Sequence, residues 1–371
     1  MHPTRAIIHL GNLAHNIEEI RRLVGAHRRI CVPVKADAYG HGAIRIAREL
    51  LAEGVSHLAV ATVSEAAALR AADITAPILL LGLVIPEEYP LLVQTGCEAF
   101  VADKDQIAGL ALQAKQMNTS LAVHLKIDTG MGRIGCVPQE APSLARYILD
   151  SGLSLAGVAT HLPVADSAKP QDIDFTHAQI KRFTDAVTSI RDAGIDPGIV
   201  HAANSGGILQ YPESWLDMVR PGIIVYGYPS DPSSLTGHTI ELKPVMKLET
   251  RVVHMKKVQK GTSISYGRTW TAERDTVIAT LPVGYGDGLA RSLSNRLTVR
   301  IAETDYPIVG RICMDQCMID VGPEPAVRRW DTAVIFGPGH GADALARMID
   351  TIPYEITCSI APRVPRVYVT E

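Results

Sequence analysis

The sequence predicts an α/β protein, with an amino-terminal (β/α)8 barrel over residues 1–230 followed by a mainly β domain over residues 231–371. The barrel rests on periodicity. Between Ile30 and about Gly227, eight short apolar runs alternate with stretches of helical spacing, and the runs end near Lys35, Thr62, Gly82, Asp103, Asp128, His161, Ser205 and Gly222. Near-continuous apolar runs suit strands buried on both faces, as parallel strands are when helices cover them. The second domain rests on a change of texture. The stretch DPSSLTGH at 231–238 is rich in turn formers, and beyond it strand-like runs punctuated by glycine and proline replace the helical stripes. The boundary therefore falls near Ser230.

Taken in order, Ile17, Ile20 and Val24 repeat at helical spacing ahead of the first run. That run, Val32, Pro33 and Val34, delivers Lys35 to a turn containing Tyr39, Gly40, His41 and Gly42. Ile107, Leu110, Ala111 and Ala114 form the stripe of a later helix. Run seven ends in HAANSGG at 201–207, and run eight contains RPGIIVYG at 220–227. In a (β/α)8 barrel, reactive groups gather at the carboxyl ends of the strands and phosphate is held by the loops after strands seven and eight. There Ser205 supplies a hydroxyl, and Gly222 and Ile223 offer backbone N–H groups to an anion. An ordinary cap or turn accounts for the same serine. In the second domain the strand-like runs are 245–258, 276–283, 297–301, 308–321 and 332–336, with helical periodicity only at 342–349.

Bulk properties exclude several classes. A chain of 371 residues is long enough for two cores. Its net charge of −3 is dispersed, which argues against nucleic acid or an anionic membrane surface as partner. The segment MHPTRAIIHL has no signal-peptide core, and the apolar run at 78–85 is too short to cross a bilayer. The six cysteines, at 31, 97, 136, 313, 317 and 358, form no CxxC pair, so neither a zinc site nor a disulfide scaffold is expected. No metal is expected, and a reducing cytoplasm is the expected compartment.

Lys35 is the most informative position. An ammonium held against apolar walls loses hydration, its pKa falls, and the neutral amine can condense with an aldehyde. A snorkelling surface lysine fits the same segment.

The motifs together resemble the alanine racemase family, whose members use pyridoxal phosphate. They are VKADAYGHG at 34–42, KIDTGMGRIG at 126–135, RPGIIVYG at 220–227, ISYGRTW at 264–270, GYGDG at 284–288, GRICMDQ at 310–316 and RVPRVY at 363–368. Their joint order and spacing run nearly end to end.

The resemblance implies that Lys35 carries the cofactor and exchanges the α-proton of the D-isomer, while Tyr266 is the opposite base and serves the L-isomer. A phenolate near neutral pH needs nearby positive charge or donated hydrogen bonds, since a free tyrosine has a pKa of about 10. His161 and Arg220 are candidate suppliers. Arg220, facing the pyridine nitrogen, would donate to it and keep it unprotonated. Arg133 would hold the cofactor phenolate oxygen and the substrate carboxylate as a planar fork. Lys126 matches a lysine that members often carry as a carbamate; as a bare strand residue it could instead pair with Asp128. Tyr39, Ser205, Gly222, Ile223 and Tyr354 match the phosphate cradle, and His161 and Asn204 match positions flanking the cofactor.

Tyr266 and the Met314 backbone N–H would come from the partner subunit, which implies a homodimer with shared active sites. Asp166, Tyr285, Arg291 and Arg311 resemble residues of the access corridor. Three departures stand out: Asp37 where several members have Asn, Gly286 where many have Ala, and HLPVAD at 161–166 without an aromatic after its histidine. The expected activity is interconversion of L- and D-alanine, supplying peptidoglycan. The alternatives are a serine or broad-range racemase of the same fold, or a non-catalytic pyridoxal-phosphate carrier. Such a carrier leaves ISYGRTW and GRICMDQ without a purpose.

Overall fold

The first strand, β1 (Arg5–His9), does not enter the barrel. In the computed structural model, which describes residues 3–229 and 238–370, the barrel strands are β2 (Arg29–Pro33), β3 (His57–Val60), β4 (Ile78–Leu80), β5 (Glu98–Val101), β6 (Ala122–Lys126), β7 (Ser154–Ala159), β8 (Ile199–His201) and β9 (Met218–Val219). They form one eight-stranded sheet in the order β8-β7-β6-β5-β4-β3-β2-β9, and every pairing is parallel. The two edge strands approach each other through the Asp217 N–H on Val200 O at 3.1 Å and the Arg220 N–H on Ala203 O at 2.8 Å, so the sheet nearly closes. The eight expected apolar runs correspond to these eight strands.

The barrel interior is filled rather than hollow. Cys31, Ala59, Leu79, Phe100, Ala159 and Met218, from six of the strands, make one buried cluster. The predicted helices are present. Leu10–Val24 buries Ile17, Ile20 and Val24, and Lys104–Gln116 buries Ile107, Leu110 and Ala114, its start capped by the Asp103 side chain accepting from the Gln106 N–H.

The chain divides into a barrel unit, Ala14–Ala38 with Ala43–Leu242, and a second unit, Met1–Leu13 and Tyr39–Gly42 with Lys243–Glu371. This arrangement differs from the expected 1–230 and 231–371 division at Tyr39–Gly42 and, more extensively, at the amino terminus. The reason is hydrogen bonding, because β1 pairs on both edges inside the second unit. Its partners are β10 (Met246–Arg251), antiparallel, and the last strand (Arg366–Val369), parallel. The turn-rich stretch expected to mark the boundary at Ser230 lies outside the described residues, apart from His238.

The second unit is mainly β, as expected. Its six-stranded sheet continues from β10 to Thr332–Phe336, Thr298–Ile301 and Thr304–Pro307, and a three-stranded sheet joins His254–Val258, Thr276–Leu281 and Cys317–Asp320. The run at 308–321 is strand only over its last part; residues 310–316 form a loop. Gly40 belongs to this unit at φ +84°, where a Cβ would lie 2.1 Å from Thr357 O. Only glycine fits so close an approach with that backbone.

No helix among the described residues is long and apolar enough to cross a membrane.

Candidate active site

In the barrel unit, β2 ends at Pro33 and hands the chain to a left-handed turn. Ala36, Asp37, Ala38 and Tyr39 have φ of 50°, 53°, 54° and 54°. Four successive non-glycine residues in that region cost roughly 1–2 kcal/mol each, so the surroundings must hold them. Several bonds do so. Val34 N–H donates to Ala59 O at 2.8 Å, Ala38 N–H to Val34 O at 2.8 Å, and Ala43 N–H to Asp37 Oδ1 at 2.7 Å. Glu65 adds a fourth anchor. Its Oε1 accepts from the Ala36 N–H at 2.7 Å, while its Oε2 accepts from the Ala61 and Thr62 N–H groups and completes a capping box with Thr62. Lys35 stands at the entrance of this turn, half-buried.

Lys126, at the end of β6, is 3% exposed with its Nζ 5.5 Å from the centre of the Phe100 ring. It makes no ion pair with Asp128, whose carboxylate instead accepts the Gly130 and Gly132 N–H groups at 2.9–3.1 Å and shapes the loop carrying Arg133. That loop is closed by the Asp128 N–H on Cys136 O and the Cys136 N–H on Lys126 O. Burial, then the charges of Arg220 and Arg133, push the Lys126 ammonium well below its usual range, against the opposing pull of Asp128.

His161 follows β7. Burial, then Arg220, Lys126, Arg133 and Lys35, push its imidazolium well below the ordinary range, so it is neutral at pH 7. Of the two contributions expected of His161, the neutral ring keeps a donated hydrogen bond and gives up positive charge. Arg220 keeps that capacity: burial lowers its pKa only to about 10, partly offset by Cys31.

Arg220, 6% exposed, is held by three hydrogen bonds. Nη1 donates to His201 Nδ1 at 2.6 Å, and Nη2 donates to Thr160 O at 2.7 Å and Ala202 O at 2.9 Å. The Nε–H and one Nη1–H are left for a ligand. Beside it, the Gly222 N–H donates to Ser205 Oγ at 2.9 Å, which fixes the hydroxyl oxygen and leaves its proton to donate outward. Asn204 caps the helix Ser205–Gln210 by accepting from the Gly207 N–H, and its Nδ2 donates to Leu162 O at 2.9 Å. Ile223 opens the next 3-10 turn, and Asp166 lies half-buried in the loop after β7.

In the second unit, the Tyr39 and Tyr354 rings lie 5.4 Å apart at 48°, and burial followed by Tyr354 raises the Tyr39 phenol pKa, so it stays protonated. Tyr266 is 70% exposed, in a turn where Ser265 has φ 66° and its Oγ donates to Arg311 O at 2.6 Å. Met314, 54% exposed, shares a loop cluster with Tyr285: the Tyr285 N–H donates to Cys313 O at 3.0 Å and the Gly286 N–H to Met314 O at 2.8 Å. Arg363 braces the cluster with 2.8 Å bonds to Asp287 and Asp315. Arg291 is exposed in the turn Arg291–Leu293.

Sequence reasoning missed Glu65, Glu98, His124 and His201. For Glu65 a signal was available, since Thr62 followed three residues later by Glu is a capping box. The others are distant in sequence and meet only across the barrel.

Family models agree with the geometry. The model described as alanine racemase, N-terminal domain, matches residues 8–230, and the one described as alanine racemase, C-terminal domain, matches residues 245–368. An alanine racemase of Treponema denticola is 53% identical over 100% of this chain and 99% of its own length. Among solved structures, an alanine racemase of Clostridium difficile 630 superposes with a TM-score of 0.94 at 37% identity, covering 100% of this chain and 97% of that one. The alanine racemase of Bacillus anthracis with bound L-Ala-P gives 0.91 at 32% identity, covering 100% and 96%.

Proposed function

The chain belongs to the alanine racemase family of isomerases acting on amino acids, and from that premise we propose that it interconverts L- and D-alanine with pyridoxal phosphate, using two bases: its own Lys35 and the partner subunit's Tyr266. One observation carries this reading. Lys35, Arg133 and Arg220 all stand near enough to His161, at the carboxyl ends of the barrel strands, to disfavour its charged form, a cationic donor set suited to a ligand bearing a phosphate and a carboxylate. Pyridoxal phosphate, when bound, supplies the electron sink that makes the α-proton of an amino acid removable.

The protein's own groups do the rest. Lys35 holds the cofactor and moves the proton at Cα for the D-isomer, and Tyr266 moves it on the opposite face for the L-isomer. The Ser205 hydroxyl, the Ile223 amide, Tyr39 and Tyr354 would hold the phosphate, and the Gly222 amide, expected there too, instead fixes the Ser205 hydroxyl oxygen. Arg220 would donate to the pyridine nitrogen and, staying charged, would keep it from being protonated. Arg133 and the Met314 N–H orient the substrate carboxylate, with His161 and Asn204 flanking the ring. Lys126, as a carbamate, supplies the negative charge that orients Arg133. Asp166, Tyr285, Arg291 and Arg311 line the approach.

The high exposure of Tyr266 and Met314 within one chain supports their use by a second copy, and hence a homodimer. The wide spread of the six cysteines, with no CxxC pair, supports a reducing cytoplasm, where the D-alanine would feed peptidoglycan synthesis. Incubation with L-alanine and pyridoxal phosphate should bring the two enantiomers to equality. Lys35→Ala should lose both the bound chromophore and the turnover. A wild-type protein that binds the cofactor yet leaves the alanine α-proton unexchanged in D2O is a carrier, and the reading fails.

A further inference from the structure

A string of buried hydrogen bonds runs through the barrel from Arg220 to Glu98. Arg220 Nη1 meets His201 Nδ1 at 2.6 Å, His201 Nε2 meets His124 Nδ1 at 2.9 Å, and His124 Nε2 meets Glu98 Oε2 at 3.0 Å. Both histidines are 0% exposed, and Phe100 covers them, stacked on His201 and edge-on to His124. Glu98, at the first residue of β5, is the most open member, with 19% of its side chain exposed.

The partners assign the protons. Guanidinium nitrogens only donate, so His201 Nδ1 must accept and its single N–H is at Nε2. That N–H donates to His124 Nδ1, which must then accept. The His124 N–H is therefore at Nε2 and donates to the Glu98 carboxylate. Every bond points the same way, from a cation at the mouth to an anion at the floor, and bonds in such a string polarise one another. Burial, then Arg220, holds His201 neutral, as the string requires. Burial alone would raise the Glu98 pKa, but the His124 hydrogen bond and the nearby His124, His57 and Arg29 bring it below the ordinary value, so the carboxylate is ionised.

We propose that Glu98 is a positioning residue for Arg220, acting through His124 and His201 to fix the guanidinium's orientation and its acceptor's strength. This rests on the reading of Arg220 as the group facing the cofactor ring nitrogen. The string leaves Arg220 only two outward N–H groups, and it orients them from the far end of the barrel.

The test uses the pyridoxal-phosphate-loaded protein with 15N-labelled histidine. In the wild type, His201 and His124 should each show a slowly exchanging imidazole proton at Nε2, shifted downfield. In Glu98→Gln, the His124 proton should move upfield, and the His201 proton, which does not touch residue 98, should move with it. The kcat for alanine should fall roughly three- to tenfold with KM little changed, and Glu98→Asp should recover part of the loss. A proton on His201 Nδ1 in the wild type overturns the proposal even if the variant fails to fold. So does a His201 signal in Glu98→Gln that stays in place while kcat is unchanged. If the coupled shift appears in a protein that does not racemise, the functional reading fails and the string stands.

Discussion

Arg220 Nη1 lies 2.6 Å from His201 Nδ1, and the guanidinium's other committed hydrogens go to two backbone carbonyls, so one planar fork satisfies three buried acceptors. A lysine carries the charge without the fork. Arg220→Lys should therefore strand at least one buried acceptor and cost about 1–3 kcal/mol, read as a lower urea midpoint. An unchanged midpoint contradicts this account of the site's rigidity.

The left-handed turn after Lys35 makes a second prediction. Asn tolerates that backbone and keeps a side-chain acceptor for the Ala43 N–H, so Asp37→Asn should change stability by less than about 0.5 kcal/mol. Asp37→Val adds a β-branched residue at φ 53° and removes the acceptor, and should cost about 2–3 kcal/mol. Denaturation midpoints of the pair measure the difference, and equal midpoints contradict it.

Lys126 is buried among cations, so its amine is poised to be neutral and can add to carbon dioxide, forming an N–C bond and releasing one proton. Protein equilibrated with 13C-bicarbonate should show a carbamate carbon resonance that Lys126→Gln lacks. Identical spectra for the two proteins remove the carbamate from the mechanism.

On the proposed reading Tyr354, whose ring lies 5.4 Å from that of Tyr39 at 48°, should restrict the substrate side chain to a methyl group. The wild type should prefer alanine over serine by at least roughly tenfold in kcat/KM. Tyr354→Ala should narrow that ratio, measured with both substrates under one assay. Comparable wild-type turnover of the two is the contrary result.

Much of this was legible in the sequence because the relevant signals are local. Strand-length apolar runs located β2 to β9, and the run before Lys35 placed the lysine at a strand end. What escaped was non-local. β1 reads as a barrel-leading segment, but its place is set by pairing with strands more than 200 residues away. Nor does any spacing connect Glu98, His124, His201 and Arg220, which come together only because the barrel curls their strands around a common interior. His161 shows the same limit for electrostatics: its residue type left charge and hydrogen bonding both open, and its neighbours make it neutral.

The central claim, two bases from different chains, is tested most directly by mixing Lys35→Ala with Tyr266→Phe after reversible dissociation. Each variant alone should be inactive. A statistical mixture makes half its dimers mixed, and each mixed dimer regains one intact site of two, so about a quarter of wild-type activity should return. A mixture as inactive as its parents, with mixed dimers shown to have formed, would place both bases in one chain and contradict the account.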